Sequence, residues 1–426
     1  MDADTGRPAG TGRRGELDAL RALVVLGLVF FHTALVFSPD DDFYVKNPQT
    51  TGAVTVLAGF GVVWAMPMLF LVAGLGARHS IRRRGAAGFA RERLLRLGVP
   101  LVFGTVVLCP LPQWLRLRAA DPGYDEPYGR FWPRFLTVRP DLADFPFVLE
   151  GDHFETGHLW FVVLLLAFCL LLAPVAGPLA SAAGRVVPAL GRHPVLLLLP
   201  ALPLAAVNAL LGMEEGFAGW NRWAYLLFLL YGFGLGDDER VRALTRRAAA
   251  SAGVLGLLLF AATAPGFVAG DDPFTAWTPS ALFTRAAFGA AGWCWVLALL
   301  GLLDRPRNGT SGAPDTTAGA GVGPLRGRLH GSRRYGRYLA LAALPLYVLH
   351  QPAVVAFAYG VVGWSAPMAV KYVVIVAASL SVVLAVYEYG VRRTRLTRFL
   401  FGMRPRPRPR PTTAPTRPGP SRPPAS

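Results

Sequence analysis

Apolar stretches of about twenty residues recur from one end of the chain to the other, and about twenty apolar residues are what a helix needs to cross a bilayer. The 426 residues are 53% hydrophobic and only 16% charged, whereas soluble domains carry roughly 25% charged residues. This pattern excludes a soluble enzyme with one membrane anchor and predicts an all-α integral membrane protein. About ten transmembrane helices are predicted, at 17–38, 52–77, 97–115, 158–180, 194–211, 223–236, 249–269, 281–303, 338–360 and 368–390.

The distribution of basic residues predicts how these helices are oriented. With the N-terminus in the cytoplasm, the predicted cytoplasmic segments hold 33 of the 43 Lys and Arg residues and the outer loops hold 7. Cytoplasmic segments of membrane proteins are typically enriched in this way. We therefore predict that both termini are cytoplasmic. Because the net charge of +17 follows this membrane pattern, we predict no nucleic-acid partner.

Composition divides the chain into three parts. Residues 1–16 are predicted to form a cytoplasmic N-terminal segment, residues 17–390 the ten-helix membrane domain, and residues 391–426 a disordered Arg/Pro-rich cytoplasmic tail. Within the membrane domain, loop 116–157 is predicted to be long and external, where it could cover an outward-facing site. Loop 304–337 is Gly/Arg-rich and is predicted to be a flexible cytoplasmic linker.

Two charged or titratable residues lie in the first predicted span, where they are costly to bury and therefore usually functional. Arg21 and His32 are eleven positions apart, which places them on one helix face, separated by about 16 Å along the axis. Asp18, three residues before Arg21, can pair with it. We predict that His32 is a general base or acyl acceptor and that Arg21 holds an anionic or carbonyl group. The structural alternative is that Arg21 extends to the cytoplasmic surface and His32 bonds a carbonyl.

Arg93 and Arg96 lie three residues apart where a predicted helix enters the membrane. Both can face one phosphate-bearing ligand, because the guanidinium fork matches phosphate. Anchoring at the cytoplasmic surface by itself explains the number of arginines here. Spacing alone favours this anchoring over phosphate binding.

Three further residues are candidates for lining a substrate cavity. His350 lies in the middle of the ninth predicted span, and Pro352 frees a backbone carbonyl near it. His158 and Trp160 open the fourth span, where aromatic residues commonly form an interfacial belt. A structural hydrogen bond for His350 and a belt position for the other two remain open.

Acidic residues in the loops are interpreted as solvated. Glu150 and Glu155 lie just upstream of the fourth span, while Asp40–Asp42 and Asp237–Glu239 form short acidic runs that could chelate a divalent ion. The three cysteines have no metal-ligand spacing. We predict no metal and no permanently bound cofactor.

Several of these motifs resemble one family. Leu17-Asp18-Ala19-Leu20-Arg21, followed by His32 after ten further residues, resembles the opening motif of the membrane acyltransferase-3 family. Arg93-Leu-Leu-Arg96 resembles its Arg-x-x-Arg motif. The segments GHLWF (157–161) and LPLYVLHQP (344–352) resemble landmarks of the branch that includes glucan biosynthesis protein C and O-antigen-type O-acyltransferases.

The resemblance implies a multi-pass protein of the bacterial inner membrane. It implies that acyl-CoA is a cytoplasmic co-substrate and that an acetyl or succinyl group is moved to a hydroxyl of an extracytoplasmic glycan, lipid or secondary metabolite. Arg21 and His32 would both be essential, and Arg93 and Arg96 would hold the CoA phosphates.

Two other functions fit the same residues. A transporter or flippase would place Arg21, His32 and His350 along a pathway. A glycosyltransferase that uses a polyprenyl-phosphate sugar would use Asp40–Asp42 in its first outer loop. A substrate-dependent rise in free CoA would exclude the transporter, and a loss of activity in Asp41→Ala but not in Arg93→Ala would favour the glycosyltransferase.

Overall fold

The computed structural model describes residues 15–39, 42–192, 194–236, 238–268, 272–304 and 324–404. The helices are α1 (Gly15–Leu35), α2 (Gly52–Arg93), α3 (Val99–Phe103), α4 (Pro110–Ala120), α5 (Tyr128–Phe135), α6 (Trp160–Arg192), α7 (Ala201–Leu211), α8 (Arg222–Leu235), α9 (Glu239–Val268), α10 (Pro279–Leu303), α11 (Pro324–Val361), α12 (Met368–Ala385) and α13 (Arg395–Leu400). Two short strands, β1 (Arg139–Pro140) and β2 (Leu149–Glu150), pair antiparallel.

Seven helical stretches in the described part of the chain are long and apolar enough to cross a membrane. They are Leu17–Leu35, Gly52–Ala120, Gly157–Leu190, Glu239–Val268, Pro279–Leu303, Tyr338–Val361 and Met368–Val391. The prediction of an all-α integral membrane protein is thereby confirmed. Helices α7 and α8 lie where two further spans are predicted, but they are shorter than these seven. The count of ten crossings and the cytoplasmic termini stay predictions.

The longest stretch, Gly52–Ala120, contains a break. Gly85 has a φ of 71°, a left-handed conformation that glycine adopts without steric cost, and it interrupts α2. The predicted spans 52–77 and 97–115 lie on opposite sides of this break. The single stretch therefore accommodates both of them.

Pro110 removes one backbone hydrogen bond near the end of this stretch. Pro110 has no N–H with which to bond the carbonyl of Val106 four residues earlier. The indole of Trp132 donates to that carbonyl instead, at 2.9 Å. This hydrogen bond connects α5 to the helical segment that precedes α4. Segment 116–157, predicted to be a long external loop, accordingly contains α5 and the β1–β2 hairpin.

Close approach of small residues holds α2 against α8. A Cβ added at Gly74 would lie 2.0 Å from the carbonyl oxygen of Leu229, and one added at Gly232 would lie 1.9 Å from that of Leu71. Only glycine allows the two backbones to approach this closely, as is common between membrane helices. Helix α1 packs against α11 and α2.

The C-terminal boundaries differ from those predicted. Residues 391–404 were predicted to be disordered, but α13 forms there and the side chains of Phe401 and Met403 are buried. The ring of Phe401 contacts Phe103 with centroids 5.2 Å apart. The prediction was wrong here because the apolar residues of RLTRFLFGM can be buried, unlike the Arg-Pro repeat that follows.

The predicted N-terminal segment, linker and tail lie partly outside the described residues. Residues 324–337 belong to the backbone of α11 rather than to a flexible linker. Residues 305–323, the segment 1–14 and the Arg-Pro repeat after residue 404 lie outside the described residues.

Candidate active site

Three histidines from three separate elements meet in the bundle. His32 comes from α1, His350 from α11, and His158 from the short 3-10 turn before α6. The ring centroids of His32 and His350 lie 5.0 Å apart, and those of His158 and His350 also lie 5.0 Å apart. His350 has 0% and His158 has 5% of its surface exposed. We call these three residues the histidine cluster.

Backbone carbonyls of α11 fix the orientation of two rings. Nδ1 of His350 lies 2.6 Å from the carbonyl oxygen of Tyr347, and Nε2 of His158 lies 3.1 Å from that of Val348. Because a carbonyl only accepts hydrogen bonds, we assign a proton to each of these nitrogens. The carbonyl of Val348 is available because Pro352, four residues later, has no N–H. The prediction that Pro352 frees a carbonyl near His350 agrees with this contact.

The other nitrogens of the cluster are not hydrogen-bonded within the described residues. Nε2 of His350 and Nδ1 of His32 are both buried and have no partner there. In a neutral imidazole with its proton on Nδ1, Nε2 carries the lone pair. His350 therefore makes the predicted structural hydrogen bond through Nδ1, while its Nε2 can still accept a hydrogen bond.

Aromatic side chains surround His32. Phe31 approaches it edge-on, with centroids 5.3 Å apart, and Phe43 stacks on it at 5.8 Å. Tyr347 contacts both His158 and His350 at 5.6 Å, and its hydroxyl donates to the backbone carbonyl of His158. A neutral imidazole in such surroundings can act as a general base or as a nucleophile.

Arg21 lies toward the other end of α1. Its Nη2 donates to the carbonyl oxygen of Val72 in α2 at 2.9 Å, and its Nη1 lies 3.3 Å from the carboxylate of Asp18. The predicted pairing of Asp18 with Arg21 is confirmed. Arg21 thus fastens α1 to the part of α2 that packs on α8.

Arg96 of the Arg-x-x-Arg motif is near enough to Arg21 for their charges to interact. The charges of Arg21, Arg93 and Arg404 all act on Arg96, and we call these four residues the arginine cluster. The carboxylate of Glu92 lies 3.8 Å from Arg96 and 3.4 Å from Arg404.

Arg93 has a donor left over. Its guanidinium lies over the ring of Phe89 at 5.0 Å, and its buried Nε has no hydrogen-bond partner in the described part of the chain. Four guanidinium groups with few carboxylates among them attract anions. Phosphate binding by Arg93 and Arg96 stays a prediction.

Helix α1 connects the two clusters. It runs unbroken from Gly15 to Leu35, so Arg21 and His32 are held about 16 Å apart along one rigid helix. Each of the two side chains contacts a different neighbouring helix.

Trp160 is not brought into the histidine cluster. Its ring contacts in the described structure are with Phe161 at 6.3 Å, Phe217 at 5.5 Å and Tyr225 at 5.4 Å. This indole is part of an aromatic group beside the cluster. Glu150, as predicted, is exposed, and it pairs with Arg139 at 3.0 Å.

Glu155 does not behave as the solvated loop residue that the sequence predicts. It is half-buried, and the hydroxyl of Tyr44 donates to its carboxylate. Burial raises the pKa of Glu155 above its ordinary value, and burial together with the nearby Glu155 carboxylate raises the pKa of Tyr44. No local signal marks this pair, because its members come from segments that are distant in the sequence.

The described residues contain no group of three or more His, Cys, Asp or Glu side chains arranged to hold a metal ion. Cys109, Cys169 and Cys294 are buried and unbonded to one another. Asp40, Asp41 and Asp237 lie outside the described residues. The absence of a metal or bound cofactor stays a prediction.

Seven helical stretches of membrane length, with Arg21 and His32 near opposite ends of α1, define a multi-pass membrane protein with a candidate active site. A family model described as an acyltransferase domain matches residues 14–388, a range that includes both histidine and arginine motifs. The chain belongs to the membrane acyltransferase-3 family and is an acyltransferase. No match was found among curated proteins or among solved structures.

Proposed function

We propose that this acyltransferase takes its acyl group from acyl-CoA at the arginine cluster and passes it to an acceptor hydroxyl at the histidine cluster. The observation that carries the proposal is the position of Arg21 and His32 on one helix. Arg21 donates to the backbone carbonyl of Val72 in α2, and the His32 ring lies beside that of His350 in α11.

Donor binding would use the arginine cluster. CoA carries several phosphate charges, and guanidinium groups bind phosphate through paired hydrogen bonds. Arg93 has a buried donor without a partner in the described residues, and Arg96 is only loosely paired with Glu92 at 3.8 Å. The extended arm of CoA would then run along α1 from Arg21 toward His32.

Transfer would take place at His32. In the direct route, His32 takes the proton of the acceptor hydroxyl while the hydroxyl oxygen attacks the thioester carbonyl carbon. A C–O bond forms, the C–S bond breaks, and the departing thiolate receives the proton from His32. In the alternative route, a ring nitrogen of His32 attacks the thioester carbonyl carbon, the C–S bond breaks, and the thiolate leaves with the imidazole proton. The acceptor oxygen then attacks the acyl-imidazole, the C–N bond breaks, and the hydroxyl proton returns to His32. Both routes need a neutral His32.

His350 would support His32 during the reaction. When His32 is protonated, its Nδ1–H can donate to a neighbouring lone pair. Nε2 of His350 carries such a lone pair and has no other partner among the described residues. We therefore assign His350 as a positioning residue.

The acyl group would be acetyl or succinyl, and the acceptor a hydroxyl of an extracytoplasmic glycan, lipid or metabolite. The excess of basic residues in alternate segments supports this orientation in a bacterial inner membrane. The motifs GHLWF and LPLYVLHQP support the branch that includes glucan biosynthesis protein C. Because the chain is an acyltransferase, the transporter and glycosyltransferase alternatives are set aside.

The test is release of free thiol from acetyl-CoA and succinyl-CoA by detergent-solubilised protein. Wild type should release thiol and His32→Ala should not, while His79→Ala, which changes an exposed histidine of α2, should behave as wild type. If wild type neither releases thiol nor binds donor in calorimetry, the proposal is wrong.

A further inference from the structure

Three polar side chains converge on the residue that precedes His158. A Cβ added at Gly157 would lie 2.9 Å from the hydroxyl of Tyr44, 3.7 Å from Oε1 of Glu155 and 3.8 Å from Nε2 of Gln351. Gly157 has a φ of 48°, so both its conformation and the space around it favour glycine. Gln351 follows His350 directly in the chain. These groups therefore adjoin the histidine cluster.

Helix α4 and Cys109, the residue directly before it, form a further wall. Cys109 Sγ lies 3.5 Å from the carbonyl oxygen of Thr156, and the guanidinium of Arg116 lies 5.8 Å from the ring centroid of Tyr44. Cys109, Gln113 and Arg116 fall within about 60° of one another around the helix axis. Gln113 therefore lies on the face of α4 that contacts Tyr44 and Thr156.

Gln113 brings an unused hydrogen-bond acceptor to this face. Its Oε1 is buried and has no hydrogen-bond partner in the described part of the chain. A buried polar atom left without a partner is costly, and such atoms usually mark a site for a ligand or water.

The Glu155 carboxylate has similar spare capacity. A carboxylate can accept about four hydrogen bonds, and the hydroxyl of Tyr44 supplies one. If the Tyr44–Glu155 contact served only to join two loops, the orphaned oxygen of Gln113 would remain unexplained. The Glu155 carboxylate and the Gln113 oxygen can therefore both accept hydrogen bonds from a ligand.

From this arrangement we propose that Glu155 and Gln113 bind the acceptor substrate, by accepting hydrogen bonds from a hydroxyl next to the one that His32 activates. The proposal rests on the proposed function. Tyr44 positions the Glu155 carboxylate. Arg116, which is paired with Asp42, lies over the Tyr44 ring, and the charges of both Arg116 and Asp42 act on Glu155. The acceptor accordingly carries at least two neighbouring hydroxyls.

The same chemistry disfavours an acceptor with one hydroxyl on a hydrocarbon. Such a molecule would leave both oxygens without donors. Sites built to bind a hydroxyl discriminate strongly against analogues that lack it.

The probes are propan-1-ol, propane-1,2-diol and methyl β-D-glucopyranoside, each added to the thiol-release assay with acetyl-CoA. The two polyols should accelerate thiol release by wild type more than propan-1-ol does. This acceleration should fall at least tenfold in Glu155→Gln and in Gln113→Leu. Donor binding in calorimetry should stay at the wild-type level in both variants and so report an intact fold.

Matched controls are available elsewhere in the described structure. Glu150→Gln and Gln49→Leu change exposed residues of the same two types and should keep the acceleration. The inference is wrong if propan-1-ol matches the polyols, if no polyol accelerates a wild type that turns over donor, or if both site variants keep the acceleration. Failure of the proposed function is a different result, since wild type would then neither bind nor turn over donor.

Discussion

The rings of His32 and His350 lie with centroids 5.0 Å apart, and each has a buried nitrogen that no described residue hydrogen-bonds. His350 donates its Nδ1–H to the carbonyl of Tyr347 in its own helix. Its ring is thus held in place while its lone pair stays available. This relationship gives His32 a neighbour that can stabilise its protonated form.

The role of His350 can be separated from a packing role by two substitutions. His350→Leu removes the lone pair and should lower kcat by about 10²-fold, at the lower end of what positioned acid–base groups contribute. His350→Gln keeps an acceptor oxygen and should recover part of this loss. The KM for acyl-CoA should not change in either variant. Equal losses in both variants, or a change confined to KM, would contradict the assignment.

Arg93 and Arg96 should determine donor affinity. Replacing either with Ala should weaken acyl-CoA binding by about 10–100-fold, since a hydrogen bond to a charged group contributes about 1.5–3 kcal/mol. Lys at these positions should give a smaller loss, because it keeps the charge but not the fork. Calorimetry at two salt concentrations measures both effects. Arg91→Ala changes an exposed arginine of the same helix and serves as the control; an equal loss there would indicate general surface charge.

The close contact of α2 and α8 makes a prediction about stability. Gly232→Ala places a Cβ 1.9 Å from the carbonyl oxygen of Leu71, so the helices must separate, at a cost of about 1–3 kcal/mol or more. The thermal unfolding temperature in detergent should fall. Gly27→Ala, where no atom lies within 4 Å, should leave it unchanged or slightly raised, because alanine favours helix. A similar fall in both variants would argue against the contact.

Burial of Glu155 predicts a dependence of stability on pH. Its pKa is raised in the folded protein above the ordinary value of 4.5, so the folded state retains the proton longer than the unfolded chain. Its stabilising contribution is complete below pH 4.5 and is lost as the pH rises through the folded pKa.

Glu155→Gln removes this titration while keeping an oxygen for the Tyr44 hydroxyl. The unfolding temperature of Glu155→Gln should therefore rise relative to wild type as the pH increases from 4.5. Glu150→Gln, in an exposed position, should show no such trend. A difference that is constant with pH would mean that Glu155 titrates normally.

Much of the fold and part of the site could be predicted from the sequence, because those features are local. Apolar stretches of membrane length specify helices, and the eleven-residue spacing of Arg21 and His32 follows from helix geometry. The Asp18–Arg21 pair and the carbonyl freed by Pro352 likewise depend only on residues within one turn.

The tertiary structure decided which helices face one another. His158 joins His32 and His350 only because the 3-10 turn before α6 meets α1 and α11, and periodicity within a helix does not specify its neighbour. The prediction that Glu155 is solvated was wrong for the same reason: Glu155 contacts Tyr44, which lies far away in the sequence. The cost of burying a charge and the available hydrogen-bond partners both depend on what surrounds a side chain in space. The chemistry of these residues is therefore set only when the chain is folded.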